Sequence, residues 1–470
     1  MGITRRTLLV GAGAGAVAVV LAACTPQPSP TTSPTATRPP RPRPTLAPGA
    51  APEPAAWVRS AWSTDPYARG AMSYLPAGAT PRLREDLSSA LAQRVFFAGE
   101  ATDPDRPGTV PGAVDSGRRA AAEVVAASSS EERIAVIGAG AAGAAAARAL
   151  SDAGRTVTVF EARERTGGRI RSISGKDWPF TVQLGAWLSP TEDAGTLGGT
   201  LAAEGIHRIG FDAATGWSKD GAAPTVDGGP LKAALERAAN AASDVPVDEA
   251  LTAAGANPED PALAAALAWV QATTGADTAK ASSWYPPSFL PDALFGADGD
   301  LSVLVDDALD GVKVALASPV SRVAYDDSGV SLRLGTGEAQ SFDRVVVTAP
   351  LGVLQRQGIE FSPALPFAQR GAIAGLASGF VETVWARFDE AFWKADADIW
   401  HVVGGDGPIR TWLNLRPVTG HPVLVGLVGG PDAEAFAKLG DDQALLGVRE
   451  SLRFFVAETP SPSPTPTPSH

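Results

Sequence analysis

Residues 134–143 read IAVIGAGAAG, and after an Ala-rich stretch residues 156–172 read TVTVFEARERTGGRIRS. The two quotations predict a βαβ unit. RIAVIG at 133–138 has the short apolar texture of a buried strand, AGAAAARALSDAG that of a helix ending near Gly154, and TVTVFEA that of a second strand. Gly138, Gly140 and Gly143 form G-x-G-x-x-G at the turn from strand to helix. The first glycine permits a tight turn, the second lets backbone approach a pyrophosphate, and the third lets the helix pack closely on the strand. The helix N-terminus adds free N–H groups and partial positive charge. Glu161 follows the second strand, 23 residues after Gly138, where a carboxylate can accept from ribose hydroxyls. Together these features point to dinucleotide binding, which the glycine triplet alone would not establish.

Upstream lies a second G-x-G-x-x-A match, Gly11–Ala16, that lacks every element of this context: no strand precedes it and no acidic residue ends a second strand. It belongs to a different signal. Arg5 and Arg6 precede an apolar run from Leu8 to Ala23, closed by Leu21-Ala22-Ala23-Cys24. The run is shorter than the roughly 20 residues of a bilayer span and fits a secretory signal. TRRTLL resembles a twin-arginine signal and LAAC a bacterial lipobox, which makes Cys24 the expected lipidation site. The expected location is therefore the outer face of the bacterial cytoplasmic membrane, held by an N-terminal lipid anchor. Cys24 is the single cysteine, so an intrachain disulfide is excluded.

The chain has 470 residues, 44% hydrophobic and 19% charged, with 50 Gly, which suits a globular α/β protein with more than one core-bearing unit. A net charge of −12 argues against a nucleic-acid binder. Thr25 to about Pro54 is Pro/Thr/Ser/Ala-rich and expected to be an extended tether, as is the TPSPSPTPTPSH ending. His207, His401 and His421 show no metal-ligand spacing, and no metal is expected.

Glu161 opens EARERTGGRIRS (161–172), which carries Gly167-Gly168-Arg169 a few residues on. This resembles the FAD-binding flavoprotein family that includes amine oxidases, polyamine oxidases and flavin-dependent histone demethylases. The resemblance implies that Arg163, Gly168 and Arg169 face the cofactor, and guanidinium groups match phosphate oxygens. It extends to LGAWLSP at 184–190, giving Gly185, Ala186 and Trp187 as a flavin-facing turn. SPVSRVAY gives Val320 beside the adenine, and VVVTAPLGVLQRQGIEFSPALP leads into the substrate domain, with FDEAFW at 388–393 a further marker.

That family closes with a tryptophan segment, a FAGEAT phrase, a flavin-side turn and a helix. Here WSTDPYARGAMSY (62–74) and FFAGEATDPDRPGTVPGAVDSGRRAA (96–121) stand before the βαβ unit, and no second FAGEAT follows it. The sequence resembles a circular permutation of a flavin amine oxidase. SSSEE at 128–132 is left to join the former last helix to the former first strand, reaching roughly 16–25 Å at about 3.3–3.6 Å per residue. The same resemblance implies Gly99 and Glu100 at the ribityl–phosphate region and Thr109 and Val110 beside the flavin's pyrimidine edge. The helix from Gly112 would aim its N-terminus there.

Four positions depart from the family pattern. Thr383 stands where a lysine commonly meets flavin N5 through water. Met72 and Thr109 occupy the two positions of the aromatic amine cage, which works by cation–π attraction. Ala71 stands where some members bond the flavin through cysteine, so FAD is expected to be non-covalent. The catalytic residues are therefore left open, with Tyr74, Trp187, Trp385 and Trp412 as candidates without positional proof.

The expected fold is α/β: a Rossmann-like FAD-binding domain with an interleaved mixed-sheet and helix substrate domain. The boundaries are 1–24 for the signal peptide, 25–56 for the tether and 457–470 for the tail. Segments 57–127, 132–210 and 296–355 form the FAD-binding domain; 211–295 and 356–456 form the substrate domain. The implied reaction is oxidation of a CH–NH2 or CH–NH group by hydride transfer to FAD, with oxygen as the final acceptor. The alternatives are a dehydrogenase or desaturase using another acceptor, and a catalytically decayed flavin-binding lipoprotein acting as an interaction module.

Overall fold

A computed structural model describes residues 49–190, 201–218, 221–223, 226, 228–287, 294–405 and 407–456. The signal, Cys24, the decoy at Gly11–Ala16, most of the tether and the 457–470 tail lie outside the described residues.

The βαβ unit forms where the glycine pattern places it. Five strands build one parallel sheet: β1 (Val95–Phe97), β2 (Arg133–Ile137), β3 (Thr156–Phe160), β4 (Lys313–Ala315) and β5 (Arg344–Val347), in the order β4-β3-β2-β5-β1. Val95–Phe97, Ile134–Ile137, Val157–Phe160 and Val345–Val347 are buried and, Thr158 apart, apolar, as a parallel sheet covered on both sides requires, while the edge strand β4 is only part-buried. β1 comes from the front of the chain, yet it takes the sheet edge beside β5, with Val95, Phe96 and Phe97 opposite Val345, Val346 and Val347.

Two helices pack on one face. α1 (Val110–Ala127) is capped by Thr109, whose side chain accepts from Gly112 N. α2 (Ala141–Asp152) follows the glycine turn. They meet backbone to backbone at Gly117, where a Cβ would sit 2.2 Å from the Ala142 carbonyl oxygen. Only glycine allows that approach, so the front segment and the βαβ unit share one closely packed core.

The link from α1 to β2 is held at both ends. Arg155 donates to the Ser128 Oγ and carbonyl oxygen, and Glu132 pairs with the buried Arg344 at 2.6 Å.

The second layer is a seven-stranded sheet containing Val381–Arg387, Val423–Gly429, Thr411–Asn414 and Ile399–Val402, with Ala56–Arg59 at one edge. Pro261–Thr274 is an Ala/Leu-rich helix, capped by Asp260 and stopped by left-handed Gly275, and it packs against this sheet. Trp385, Trp400 and Trp412 are fully buried in it. No helix among the described residues is long and apolar enough to cross a membrane.

Two expectations change. The tether does not run as far as residue 56: Ala51 is fully buried, donates to the Arg449 carbonyl oxygen and accepts from Arg449 Nε. The Pro-rich composition around it hides a small apolar residue that fits against the last helices. Nor does the segment from residue 57 belong wholly to the cofactor domain. Ala56–Arg59 pairs with Val384–Arg387, and Met72–Tyr74 with Ala377–Gly379, so the front segment is stitched into both layers. FDEAFW follows the strand Val381–Arg387, and its Phe388, Phe392 and Trp393 pack edge to face.

Candidate cofactor and active site

A cavity of about 320 Å³ opens at the carboxyl ends of β2 and β3, within the roughly 300–1,000 Å³ of small-molecule sites. This is where open parallel sheets place their ligands. Its wall brings together residues far apart in sequence: Gly138 and Gly140 from the glycine turn, Glu161, Arg163, Gly167, Gly168 and Arg169 from the next loop, and Ala186 and Val320. Gly99, Glu100, Thr109 and Val110 come from the front segment.

The glycine turn is a cradle. Gly138 has φ +104°, and a Cβ there would lie 2.5 Å from Thr348 Oγ1. Gly143 does not reach the cavity; its Cβ would lie 1.9 Å from the Gly138 carbonyl oxygen, so it serves packing of α2 on the turn. Gly140 has no side chain to cap α2, which leaves the helix N-terminus bare where Gly140, Ala141 and Ala142 line the cavity. A bare helix N-terminus beside guanidinium groups is a site for phosphate oxygens.

Glu161 is buried and organises the turn: Oε2 accepts from Ala139 N at 2.8 Å and Oε1 from Arg163 N at 2.9 Å. Each oxygen keeps a further lone pair for a ribose hydroxyl. Arg163 pairs with Asp65 at 2.7 Å and lies over the Tyr67 ring. Arg165 points inward and donates to the carbonyl oxygens of Thr166, Gly168 and Ile170, fixing the double-glycine loop. Burial, with Arg163 and Arg171 nearby, brings its pKa down to about 10, so it stays charged at neutral pH.

On the opposite wall Glu100 is fully enclosed. Oε1 accepts from Arg169 at 3.0 Å; Oε2 accepts from Ser73 Oγ at 2.6 Å, Ser73 N at 3.2 Å and Gly108 N at 2.9 Å. Burial alone would raise its pKa, but Arg169, the Ser73 hydroxyl and Arg84 outweigh it and hold the carboxyl below the usual range. Arg169 also donates to the Ala71 carbonyl oxygen at 2.7 Å.

The residues read as departures from the family pattern fall in three places. Ala71 and Thr109 line the cavity, whereas Met72 sits behind Gly108, whose Cβ position is 3.3 Å from Met72 Cβ. Thr383 is buried away from the cavity wall, with its hydroxyl 3.4 Å from the Leu184 carbonyl oxygen, which also accepts from Trp62 Nε1 at 2.7 Å.

Gly185 and Trp187 do not line the cavity, contrary to their reading as a flavin-facing turn with Ala186. Gly185 is pressed against the Arg169 carbonyl oxygen, and Trp187 is stacked between Phe211 and Trp385, over Gly296. Of the other aromatic candidates, Tyr74 packs among the helices, while Trp385 donates to Gln183 O and Trp412 to Ser451 Oγ. Asp65, Tyr67, Ser73, Arg84 and Glu382 were not legible as site-building residues. The first three stood inside the quoted WSTDPYARGAMSY, but Arg84 and Glu382 sit in no motif. No cluster of metal-ligating side chains occurs among the described residues.

Comparison with known proteins agrees with this geometry. Residues 44–125 and 247–467 match the family described as flavin containing amine oxidoreductase, and residues 136–202 match an NAD(P)-binding Rossmann-like domain. Polyamine oxidase 4 of Oryza sativa subsp. japonica is 27% identical over 352 residues, covering 66% of this chain and 70% of the relative. Probable polyamine oxidase 4 of Arabidopsis thaliana is 29% identical over 376 residues, covering 70% and 72%. Among solved structures, cyclohexylamine oxidase from Brevibacterium oxydans IH-35A aligns with a TM-score of 0.56 at 21% identity, covering 69% of this chain and 81% of its own. A putrescine oxidase aligns at 0.54 and 18%, covering 69% and 82%. The bare helix N-terminus, the acceptor carboxylate and the paired arginines of the cavity fit FAD, and the chain belongs to the flavin-containing amine oxidoreductase family.

Proposed function

We propose that the protein oxidises a small amine at the carbon beside its nitrogen, using non-covalently bound FAD and passing the electrons to oxygen. The observation that carries this reading is the single cavity wall to which the glycine turn, Glu161, Arg169 and the Glu100–Val110 segment all contribute. Bound FAD supplies the two-electron acceptor for a C–H bond next to nitrogen. The chain supplies the rest. Gly140 and the first turn of α2 offer N–H groups to phosphate, and Glu161 offers acceptor lone pairs. Glu100 and Arg165 fix the loops so that Arg169 stays at the wall. With Met72 and Thr109 at the two cage positions, the amine is held by shape and hydrogen bonds rather than by a cation–π cage. The polyamine oxidase names of the relatives favour an aliphatic amine as substrate. An anaerobic screen of primary amines, polyamines and amino acids for flavin bleaching tests the reaction. A flavin that no amine bleaches overturns it.

One observation favours a second acceptor reading. Thr383 faces the Leu184 carbonyl oxygen inside the core, so the usual lysine position presents no group to the cavity. Amine-dependent bleaching without peroxide on admitting air would make the protein a dehydrogenase.

The chain order is read as a circular permutation, supported by three observations. The family matches two stretches on either side of the Rossmann-like unit. β1 and α1 complete the sheet and helix layer of that unit. Ala51 is bonded to Arg449, so the two ends of the ordered body adjoin. A gene re-ordered to start at Glu131, with Val456 joined to Ala51 and an end at Ser130, should give a folded FAD-binding protein; loss of both properties counts against the reading. Export and lipidation at Cys24 complete the proposal. Cys24→Ser should abolish lipid labelling and release the protein from membranes, and unchanged partitioning would refute the anchor.

A further inference from the structure

Among the described residues Arg84 is the one arginine counted with the largest fully buried side chains, at 2% exposure, and it does not line the cavity. It lies in a short helix (Arg82–Ser88) that no sequence motif marks. A guanidinium this far from water is costly unless something uses it. Its Nη1 donates to Ser73 Oγ at 2.7 Å and to the Ala101 carbonyl oxygen at 3.1 Å. Ser73 Oγ in turn donates to Glu100 Oε2 at 2.6 Å, and the other oxygen of Glu100 accepts from Arg169, which lines the cavity.

We propose that Arg84 is a positioning residue for the flavin site, acting through Ser73 and Glu100 on Arg169. The chemistry lies in the serine. A hydroxyl has one proton to give. Arg84 can only donate, so it occupies an acceptor site of Ser73 Oγ and commits the serine proton to Glu100. Glu100 then presents Oε2 to Ser73 and Gly108 and Oε1 to Arg169. Arg169 is thereby held between Glu100 and the Ala71 carbonyl oxygen, at the edge of the cavity.

The relay also sets local charge. Arg84 faces two buried carboxylates, Glu100 and Asp103, and Arg169 faces Glu100; Asp103 itself accepts from the backbone N–H groups of Asp105 and Arg106. Removing Arg84 leaves two carboxylates against one guanidinium. Negative charge in the cavity is then disfavoured, and reduced flavin carries more of it than oxidised flavin. Two properties should therefore move together: affinity for FAD and the reduction potential of the bound flavin.

This inference rests on FAD occupying the cavity, and the experiment separates the two. Apoprotein of wild type, Arg84→Met, Arg84→Lys and Ser73→Ala is titrated with FAD by flavin fluorescence, and each holoprotein is equilibrated with redox dyes. Arg84→Met should weaken FAD binding about tenfold and make the two-electron potential more negative by about 30 mV, a tenfold change in the preference for reduced flavin. Ser73→Ala, which removes one oxygen and leaves the buried cation in place, should shift both in the same direction by less. Arg84→Lys, keeping charge and a donor, should recover most of the potential. If Arg84→Met does not fold, Ser73→Ala carries the test through the same two readouts. Wild-type affinity and potential in Ser73→Ala and Arg84→Met, with only the melting temperature lowered, would make Arg84 a packing residue and overturn the proposal. A wild-type protein that takes up no FAD would overturn the cofactor assignment on which it stands.

Discussion

Gly140 and Gly143 are three residues apart in one motif, yet the structure gives them opposite burdens. A Cβ on Gly140 would meet nothing closer than 3.8 Å, and its backbone (φ −85°, ψ −174°) suits any L residue. Gly140→Ala should therefore change the stability of the apoprotein by no more than about 1 kcal/mol, the difference between glycine and alanine as a helix cap. Its methyl group, however, projects where the backbone must approach a phosphate. Losing two charge-assisted hydrogen bonds at about 1.5 kcal/mol each costs about 3 kcal/mol, or roughly a hundredfold in affinity. Gly143→Ala works the other way. Its Cβ would sit 1.9 Å from the Gly138 carbonyl oxygen. The helix must back away by more than 1 Å, and overpacking of that kind costs about 1–3 kcal/mol of stability. The assay pairs FAD titration of the apoprotein with thermal melts of the same samples. Gly140→Ala should lose affinity with an unchanged melt; Gly143→Ala should lower the melt. If Gly140→Ala binds FAD within threefold of wild type, the cavity is not the cofactor cradle.

Three other outcomes follow from buried ionisable groups. Glu100 has its pKa held down in the folded state, so its contribution to stability is complete above the ordinary carboxylate range and is lost below it, as pH falls toward and through the depressed folded-state pKa. Glu100→Gln should flatten the acid limb of a pH–stability curve, and an unchanged limb would refute the pairing with Arg169. His401 is 4% exposed, packed on Trp269, and burial lowers its pKa to about 4. The unfolded chain takes up the proton first, so stability should fall between about pH 6.5 and 4, by about 3 kcal/mol at 1.36 kcal/mol per unit; His401→Gln should remove that slope in urea unfolding. Glu382 accepts from Ser60 Oγ, Trp62 N, Ser63 N and Ser63 Oγ, although burial, only partly offset by these donors, raises its pKa. Glu382→Ala should cost about 3 kcal/mol or more by orphaning the donors, and wild-type urea resistance would show that the front segment is held elsewhere.

The legible part of this molecule is the part where backbone geometry dictates residue type. Gly138, Gly143 and the Gly167–Gly168 loop are held to glycine by close approach or positive φ, so their spacing, read with the strand texture on either side, locates the turn, the helix and the loop. Buried parallel strands announce themselves as short Val/Ile runs for the same reason. What stayed hidden is set by partners distant in sequence. Arg84 and Glu382 sit in stretches with no pattern, because a buried charge is specified by the donors around it and not by its neighbours in the chain. Trp187 misled for a related cause. Its neighbour Ala186 does face the cavity, but one residue on, after the bend at 184–186, the indole lies against Trp385 and Phe211. The tether boundary failed because composition reports average burial, and Ala51 is one buried residue in a proline-rich run.

The cavity's charges are arranged so that almost none is left unbalanced. Arg163 is matched by Asp65, Arg169 by Glu100, and Arg165 is spent on loop carbonyl oxygens. A wall of unpaired guanidinium groups would attract any polyphosphate, but it would also repel itself and weaken the empty fold. Pairing each arginine removes that strain and leaves selectivity to geometry: the bare end of α2, the Glu161 lone pairs and the spacing between the two walls. Two of the balancing carboxylates, Asp65 and Glu100, come from the front segment, which also supplies β1 and α1. The segment therefore does more than close the sheet. Without it, Arg169 would lose its carboxylate partner and Arg163 the nearer of its two, so the cofactor cavity is complete only when the front segment is packed on the βαβ unit.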